Sequence, residues 1–235
     1  MITEKTNIEV IAFDADDTLW MNETIFSKAQ GQYREMLQTY IEPEVLDQRF
    51  HETMIRNLQS FGYGIKNFTF SMIETAIELS YGKISGLEIQ QIINLGREML
   101  KHPVELINGV KETLHKLSKE FELMIITKGD LFDQEGKIAR SGIAHYFPRV
   151  EILSEKNEMA YTNILKRYQI TTEQFLMVGN SLKSDVIPVC KIGANALHIP
   201  FHITWAHEQV EEKEHQNLSY WKAKSIKEVP DLVKC

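Results

Sequence analysis

Five short segments of the chain are almost continuously apolar, and they predict the strands of a buried sheet. In Ile8–Phe13, Phe121–Ile126 and Phe175–Val178 nearly every residue is apolar. This pattern is typical of a parallel sheet covered on both faces, whereas a half-exposed strand alternates between apolar and polar residues. The other two predicted strands are Val150–Leu153 and Ala196–Ile199.

Helical periodicity follows the second, third and fourth of these segments. The predicted helices are Leu131–Ser141, Glu158–Tyr168 and Lys183–Ile192. Strands that alternate with helices in this way predict an α/β fold with a doubly wound parallel sheet.

The interval between the first two strands has a different pattern, with almost no strand signal. Apolar residues recur there at three-to-four-residue spacing, which indicates amphipathic helices. We therefore predict a core domain of residues 1–20 and 103–235, with an all-helical domain of residues 21–102 inserted after the first strand. The predicted helices of the insert are Thr24–Tyr40, Pro43–Ser60, Asn67–Tyr81 and Leu87–Lys101.

The composition is that of an ordinary globular chain, with 43% hydrophobic and 25% charged residues among 235. A net charge of −7 argues against nucleic acid as the main partner, because binding a phosphate backbone usually needs a basic face. No apolar stretch approaches the ~20 residues that span a bilayer, and no signal-peptide pattern opens the chain. Cys190 and Cys235 make no disulfide framework and are expected to be reduced. We predict a cytoplasmic protein without membrane or nucleic-acid partners; monomer and homodimer both stay open.

Two carboxylates, Asp14 and Asp16, follow the first predicted strand directly. Ligands of an open α/β sheet bind beyond the carboxyl ends of its strands. One carboxylate there can attack phosphorus while the other supplies a proton to the leaving group. A divalent cation is expected beside such close like charges. The alternative is an ordinary Asp-rich turn. A calcium loop of the D-x-D-x-D-G type is less suitable, since its Gly and distal Glu are missing.

Further candidate residues follow the later strands. Thr127 and the backbone of Lys128 can donate hydrogen bonds to a phosphoryl oxygen, and the ammonium of Lys156 can offset its charge. Asn180 and Asp185 follow the fourth strand and offer oxygen ligands for Mg²⁺. Each of these residues alone can also be explained by a structural role, as a helix cap or as an exposed lysine.

In order along the chain, these segments resemble the four motifs of the haloacid dehalogenase-like hydrolases. The sequence FDADDTLW is similar to the first motif, D-x-D-x-T. The resemblance implies that Asp14 is the nucleophile and binds Mg²⁺. It implies that Asp16 is the general acid/base and binds Mg²⁺ through its backbone carbonyl. The dehalogenases that name the superfamily lack the second Asp, so Asp16 points to phosphoryl transfer.

The other three motifs match with two departures. Thr127 takes the place of the hydroxyl residue of the second motif, and Lys156 that of the third-motif lysine. Asn157 stands where a proline is common, and Asn180 replaces the first acid of the fourth motif. Whether Asn180 ligates the metal directly or through water stays open. The implied magnesium ligands are Asp14, Asp16, Asn180 and Asp185.

The helical insert resembles a type 1 cap, which in this family closes over the active site and selects the substrate. Tyr63, in the connection Phe61–Gly64, is the candidate aromatic contact to the substrate; packing inside the cap is an equal alternative. Trp20–Asn22 are expected to line the entrance. Asp17 and Thr18 are expected to support the turn, and for Asp17 plain solvent exposure is favoured over a substrate role. The charge-rich segment Glu208–His215 is interpreted as a solvated helix face.

The resemblance implies a Mg²⁺-dependent phosphatase similar to small pyrimidine nucleotidases and phosphoglycolate phosphatases. Its substrate would be a small phosphorylated metabolite, a nucleoside monophosphate or a sugar phosphate, hydrolysed through an aspartyl phosphate on Asp14. A phosphomutase of the same family is one alternative. A non-catalytic regulator or binding protein that keeps the fold is another alternative, and Asn180 is the only feature that favours it.

Overall fold

A computed structural model describes residues 7–203 and 208–233 of the chain. The chain divides into two compact units. Their limits differ from the predicted domain boundaries after residues 20 and 102, and those boundaries stay a prediction. The first unit comprises Met1–Glu23, Val104–Lys128 and Lys137–Cys235, and the second comprises Thr24–Pro103 and Gly129–Gly136.

The first unit is built on a parallel sheet, and the predicted doubly wound α/β fold is confirmed. In the described part of the chain the sheet has six strands in the order β3-β2-β1-β4-β5-β6. The strand order reverses between β1 and β4, where open α/β sheets bind their ligands. The strands are β1 (Val10–Phe13), β2 (Glu122–Lys128), β3 (Arg149–Leu153), β4 (Phe175–Gly179), β5 (Asn195–His198) and β6 (Trp221–Lys222).

The central strand β1 explains the continuous apolar pattern. It pairs in parallel with β2 on one side and β4 on the other. Ile11 and Phe13 belong to a core cluster on one face of the sheet, whereas Val10 and Ala12 belong to a second cluster on the other. Because successive side chains of a strand point to opposite faces, both sets must be apolar when helices cover both faces.

The second unit is helical. Four helices between residues 23 and 101 pack around a core of their own, in which the Tyr33 hydroxyl donates to the Met72 carbonyl at 2.7 Å. Phe50 and Phe68 meet edge to face at 5.0 Å, and Ser85 forms a capping box at the start of the last helix. These helices are α1 (Glu23–Leu37), α2 (Pro43–Phe61), α3 (Ile65–Leu79) and α4 (Gly86–Lys101).

The remaining helices are shorter, and two predicted ones have altered bounds. The predicted helix Leu131–Ser141 ends one residue earlier, at Arg140. The predicted helix Lys183–Ile192 is a five-residue π-helical turn, Leu182–Val186, followed by a short α-helix. None of the helices in residues 7–203 and 208–233 is long and apolar enough to cross a membrane. Cys190 is a free thiol, and Cys235 lies outside the described residues. The helices are α5 (Val110–Leu117), α6 (Leu131–Arg140), α7 (Glu158–Tyr168), α8 (Ile187–Lys191), α9 (Glu212–His215) and α10 (Val229–Val233).

Candidate active site

Asp14 is the first residue beyond β1, and its carboxylate is nearly buried. Its backbone N–H donates to the Val178 carbonyl at 2.9 Å, which extends the pairing with β4 by one residue. Its Oδ1 accepts from the Lys156 ammonium at 2.5 Å. The chain therefore holds the predicted nucleophile at the sheet edge where the strand order reverses.

Lys156 lies between two acidic side chains and is itself buried. Its Nζ is 2.7 Å from Asp185 Oδ1, and Asp185 Oδ2 accepts from the Ser181 N–H at 3.0 Å. Both Asp185 oxygens are thus engaged by protein donors, which favours an indirect role at the metal over direct ligation. Direct or not, the predicted role of Asp185 as a metal ligand stays a prediction.

Burial and charge act in opposite directions on this cluster. Burial raises the pKa of Asp14 to about 7, Lys156 opposes the rise, and the Asp185 charge adds to it. Burial alone would lower the pKa of Lys156, but Asp14 and Asp185 outweigh it and raise that pKa above its ordinary value. The ammonium is therefore a fixed positive charge beside the nucleophile.

An oxygen-rich pocket is formed by Asp14, Asp16 and Asn180. One end of the Asn180 amide lies 3.2 Å from Asp14 Oδ2 and 3.3 Å from the Asp16 carbonyl oxygen. Both neighbours are acceptors, so without a cation this end must be the NH₂ donor. Turned by 180°, the amide would add its own oxygen to the two already there. Three converging oxygens are the donor set that Mg²⁺ prefers.

In residues 7–203 and 208–233 no group of three or more His, Cys, Asp or Glu side chains is placed to hold a metal ion. The oxygen set at Asp14 differs because it combines one carboxylate with a backbone carbonyl and an amide. Thr18 lines the same set, and its hydroxyl donates to Asp14 Oδ2 at 3.3 Å. The residues present therefore fit a magnesium ion, with the three oxygens of Asp14, Asp16 and Asn180 toward it.

The Asp16 carboxylate is held by two donors. The Trp20 indole N–H donates to its Oδ1 at 2.7 Å. The Lys137 ammonium, from α6, donates to Oδ1 at 2.7 Å and to Oδ2 at 2.9 Å. Lys137 was not among the residues that the sequence predicted, because nothing in its local pattern distinguishes it from a surface lysine.

Two expectations for the turn after Asp14 are wrong, the solvent exposure of Asp17 and the place of Trp20 at the entrance, whereas the same place for Met21 and Asn22 stays a prediction. Asp17 is only 5% exposed. Its carboxylate accepts from the backbone N–H groups of Asn22 and Glu23 at the start of α1, and burial raises its pKa to about 8. A left-handed backbone at Asp17 (φ 60°) turns the side chain inward. Trp20 is 1% exposed and belongs to the core of the first unit, so it does not line an entrance.

Thr127 and Lys128 end strand β2, whose register with β1 brings them to the same sheet edge as Asp14. Thr127 is buried. The side chain of Lys128 donates to Glu208 at 2.7 Å and to Ser184 at 3.2 Å. The structure thus places both predicted residues at the edge, and their contacts to substrate stay a prediction.

Glu208 lies at this sheet edge, although the sequence pattern predicted a solvated residue. Its side chain is 13% exposed, so its interpretation as part of a solvated helix face is wrong. Its carboxylate accepts from the hydroxyls of Ser181 at 2.5 Å and Ser184 at 2.7 Å. Burial would raise its pKa, but Lys128 and the two hydroxyls lower it to about 2. The segment after β5 is thereby tied to the loops that follow β2 and β4.

The remaining predicted positions have local explanations. Asn157 caps α7, with its side chain accepting from the Ala160 N–H at 2.9 Å. Asparagine is among the residues most favoured at an N-cap, because its side chain satisfies a free backbone N–H of the first turn. Tyr63 lies in the second unit, in the connection between α2 and α3, and its substrate contact stays a prediction.

Comparison with known proteins agrees with this site. A profile of the haloacid dehalogenase-like hydrolases matches residues 8–188. The glyceraldehyde 3-phosphate phosphatase of Pyrococcus furiosus is 24% identical over 233 residues, 96% of this chain and 92% of that protein.

Solved structures show the same fold. A haloacid dehalogenase-like family hydrolase from Xanthomonas campestris is 37% identical, with a TM-score of 0.86 over 97% of this chain and 91% of that one. The hydrolase YfnB from Bacillus subtilis, described as bound to magnesium, is 16% identical with a TM-score of 0.68 over 97% of this chain and 99% of that one; at this identity it shows the fold alone. The profile match, the 37% identical structure and the order of the four motifs together establish that the chain belongs to the haloacid dehalogenase-like hydrolases.

Proposed function

We propose that the chain is a Mg²⁺-dependent phosphomonoester hydrolase that works through an aspartyl phosphate on Asp14. The observation that carries the proposal is the buried Asp14 carboxylate at the end of β1, 2.5 Å from a buried lysine. A carboxylate held beside a fixed positive charge is suited to attack an anionic phosphoryl group, because the ammonium offsets the repulsion between them.

The first step transfers the phosphoryl group to the enzyme. An oxygen of Asp14 attacks phosphorus in line, the bond from phosphorus to the ester oxygen breaks, and its electron pair stays on the leaving oxygen. Asp16 gives that oxygen a proton. Lys156, 2.7 Å from Asp185 as well as close to Asp14, stays in place because two buried carboxylates hold it.

The second step releases phosphate. Asp16, now ionised, takes a proton from a water molecule as that water attacks the aspartyl phosphate. The bond from phosphorus to Asp14 breaks, and the free carboxylate is restored. The site thus needs both acids in every turnover, one as the nucleophile and one as the proton carrier.

Magnesium would be held by Asp14, the Asp16 carbonyl and Asn180. Asp185 would act on the ion indirectly, without direct ligation. When bound, the ion neutralises negative charge on the phosphoryl oxygens. The proposed contacts to the phosphoryl group are the Thr127 hydroxyl and the Lys128 N–H at the end of β2, and Tyr63 is the proposed contact to the rest of the substrate.

The substrate class is a small phosphorylated metabolite, either a sugar phosphate or a nucleoside monophosphate. Support for the sugar phosphate comes from the Pyrococcus furiosus relative named a glyceraldehyde 3-phosphate phosphatase. The phosphatase class itself agrees with the family to which the chain belongs.

Phosphate release from a panel of small phosphomonoesters tests the proposal. The panel contains triose and hexose phosphates, phosphoglycolate and pyrimidine nucleoside monophosphates, each assayed with Mg²⁺ and with EDTA. Asp14→Asn should abolish release, whereas Asp231→Asn, at an exposed aspartate of α10, should leave it unchanged. Release that survives in Asp14→Asn, or in EDTA, would contradict the proposed mechanism.

A further inference from the structure

The ammonium of Lys137 is clamped onto the Asp16 carboxylate. Its Nζ lies 2.7 Å and 2.9 Å from the two Asp16 oxygens and donates to the Asn22 side-chain oxygen at 3.3 Å. The side chains of Lys137 and Asp16 are 12% and 24% exposed. A contact to both oxygens in a partly desolvated place fixes the plane of a carboxylate better than a single exposed pair does.

Asp16 is the group whose orientation matters most for proton transfer. A carboxyl group moves a proton well only when its oxygen is within hydrogen-bond reach of the reacting oxygen and aimed at it. Asp16 lies beyond the end of β1, in an isolated bridge with Trp20, and side-chain contacts orient its carboxylate. Trp20 orients one of its oxygens through a 2.7 Å hydrogen bond. Lys137 contacts that oxygen and also the second one, Oδ2, at 2.9 Å.

Resting on the proposed function, we propose that Lys137 is a positioning residue for the general acid/base Asp16. It contacts neither phosphorus nor the nucleophile in this role. It holds the carboxyl plane so that Asp16 can give a proton to the leaving oxygen as the bond from phosphorus to that oxygen breaks. The same placement lets Asp16 recover a proton from water in the second step.

The leaving group separates this role from a merely structural one. An alkoxide leaves poorly without a proton, whereas p-nitrophenolate leaves readily without one. The ratio kcat/KM reports the steps up to the first irreversible one, which here is transfer of the phosphoryl group to Asp14. Loss of a proton-donor orientation should therefore lower kcat/KM for an alkyl phosphate far more than for p-nitrophenyl phosphate. A folding or binding defect would lower both.

The experiment compares wild type, Lys137→Met, Lys137→Arg and the control Lys166→Met, at an exposed lysine of α7. Each is assayed on p-nitrophenyl phosphate and on the best alkyl phosphate of the panel. For Lys137→Met we expect a fall in kcat/KM about 10- to 100-fold larger on the alkyl ester. Lys137→Arg should recover most of the loss, since a guanidinium can also contact both oxygens. Lys166→Met should match wild type on both esters.

Three results would overturn the inference. Equal falls on the two esters would show a structural or binding role, and unchanged kcat/KM on both would show that Asp16 needs no such support. In either case hydrolysis by wild type would leave the proposed function intact. If folded wild type hydrolysed neither ester, the proposed function and this inference would fail together.

Discussion

Replacing Lys156 by methionine is the sharpest test of how the site is held together. The substitution keeps the length of the side chain but removes a charge that is only 2% exposed and lies 2.5 Å from Asp14 and 2.7 Å from Asp185. Two buried carboxylates then lose their counter-charge. Breaking a buried ion pair from one side costs about 3–5 kcal/mol, a large part of the ~5–15 kcal/mol that stabilises a typical domain.

The control is the same substitution at an exposed pair. Lys191 lies 3.1 Å from Glu158, with side-chain exposures of 54% and 46%. Such pairs contribute about 0–1 kcal/mol because solvent screens them. Lys191→Met should therefore lower the free energy of unfolding by no more than about 1 kcal/mol, against about 3–5 kcal/mol for Lys156→Met.

The loss should also depend on pH in a defined direction. Burial already raises the pKa of Asp14 to about 7 in the presence of Lys156, and removing the ammonium raises it further. An acid whose pKa is raised by folding loses stability as the pH climbs from its unfolded pKa through its folded pKa. The cost of Lys156→Met should thus be larger at about pH 8 than at about pH 5.

The assay is urea unfolding in EDTA at the two pH values. Adding Asp14→Asn to the Lys156→Met variant removes one buried charge that has lost its partner. This should restore about 1–3 kcal/mol of the free energy of unfolding at the higher pH. The reasoning is refuted if Lys156→Met costs no more than Lys191→Met, or if its cost is the same at both pH values.

The glycines supply the remaining predictions. A Cβ at Gly179 would overlap Asp185 Oδ2, so Gly179→Ala should displace that carboxylate, cost about 1–3 kcal/mol in urea unfolding and lower phosphatase activity; an active, fully stable variant would contradict this. Gly31 has no atom within 4 Å of a built Cβ and lies inside α1, so Gly31→Ala should stabilise the chain by about 0.5–1 kcal/mol. Gly96→Ala, in α4, would meet the Thr69 side chain and should destabilise by about 1–3 kcal/mol; equal effects of these two helix substitutions would refute the packing argument.

The strands of the core were predictable because each is apolar on both faces. Alternate residues of Val10–Phe13 pack into two different core clusters, so the strand contains no polar residue. The sixth strand, Trp221–Lys222, was not predicted, since two residues at a sheet edge carry no periodicity. The helix Val110–Leu117 was missed as well: its eight residues include three lysine or glutamate side chains and little room for a repeating pattern.

The site was predictable where a motif fixes both residue type and place. Asp14, Lys156 and Asp185 fall within one ion-paired cluster, as expected for residues that follow strands of one parallel sheet at the same edge. Asp17 was misjudged because its burial depends on a left-handed turn that the residue types alone do not indicate.

Partners distant in sequence account for the other omissions. Lys137 contacts Asp16 across 121 positions, and Glu208 contacts Lys128 across 80. A lysine in an amphipathic helix and a glutamate in a charged segment look like solvated residues until the fold places a partner beside each. Such pairs form only in the tertiary structure, and no local spacing in the sequence predicts them.

Trapping the covalent intermediate tests the central claim most directly. Wild type is mixed with its best phosphomonoester and Mg²⁺, quenched during turnover, and treated with borohydride, which reduces an aspartyl phosphate to homoserine. Peptide mass spectrometry should find homoserine at position 14 in wild type and none in Asp14→Asn. Homoserine at another acidic residue, or phosphate release with position 14 unmodified throughout turnover, would contradict Asp14 as the nucleophile.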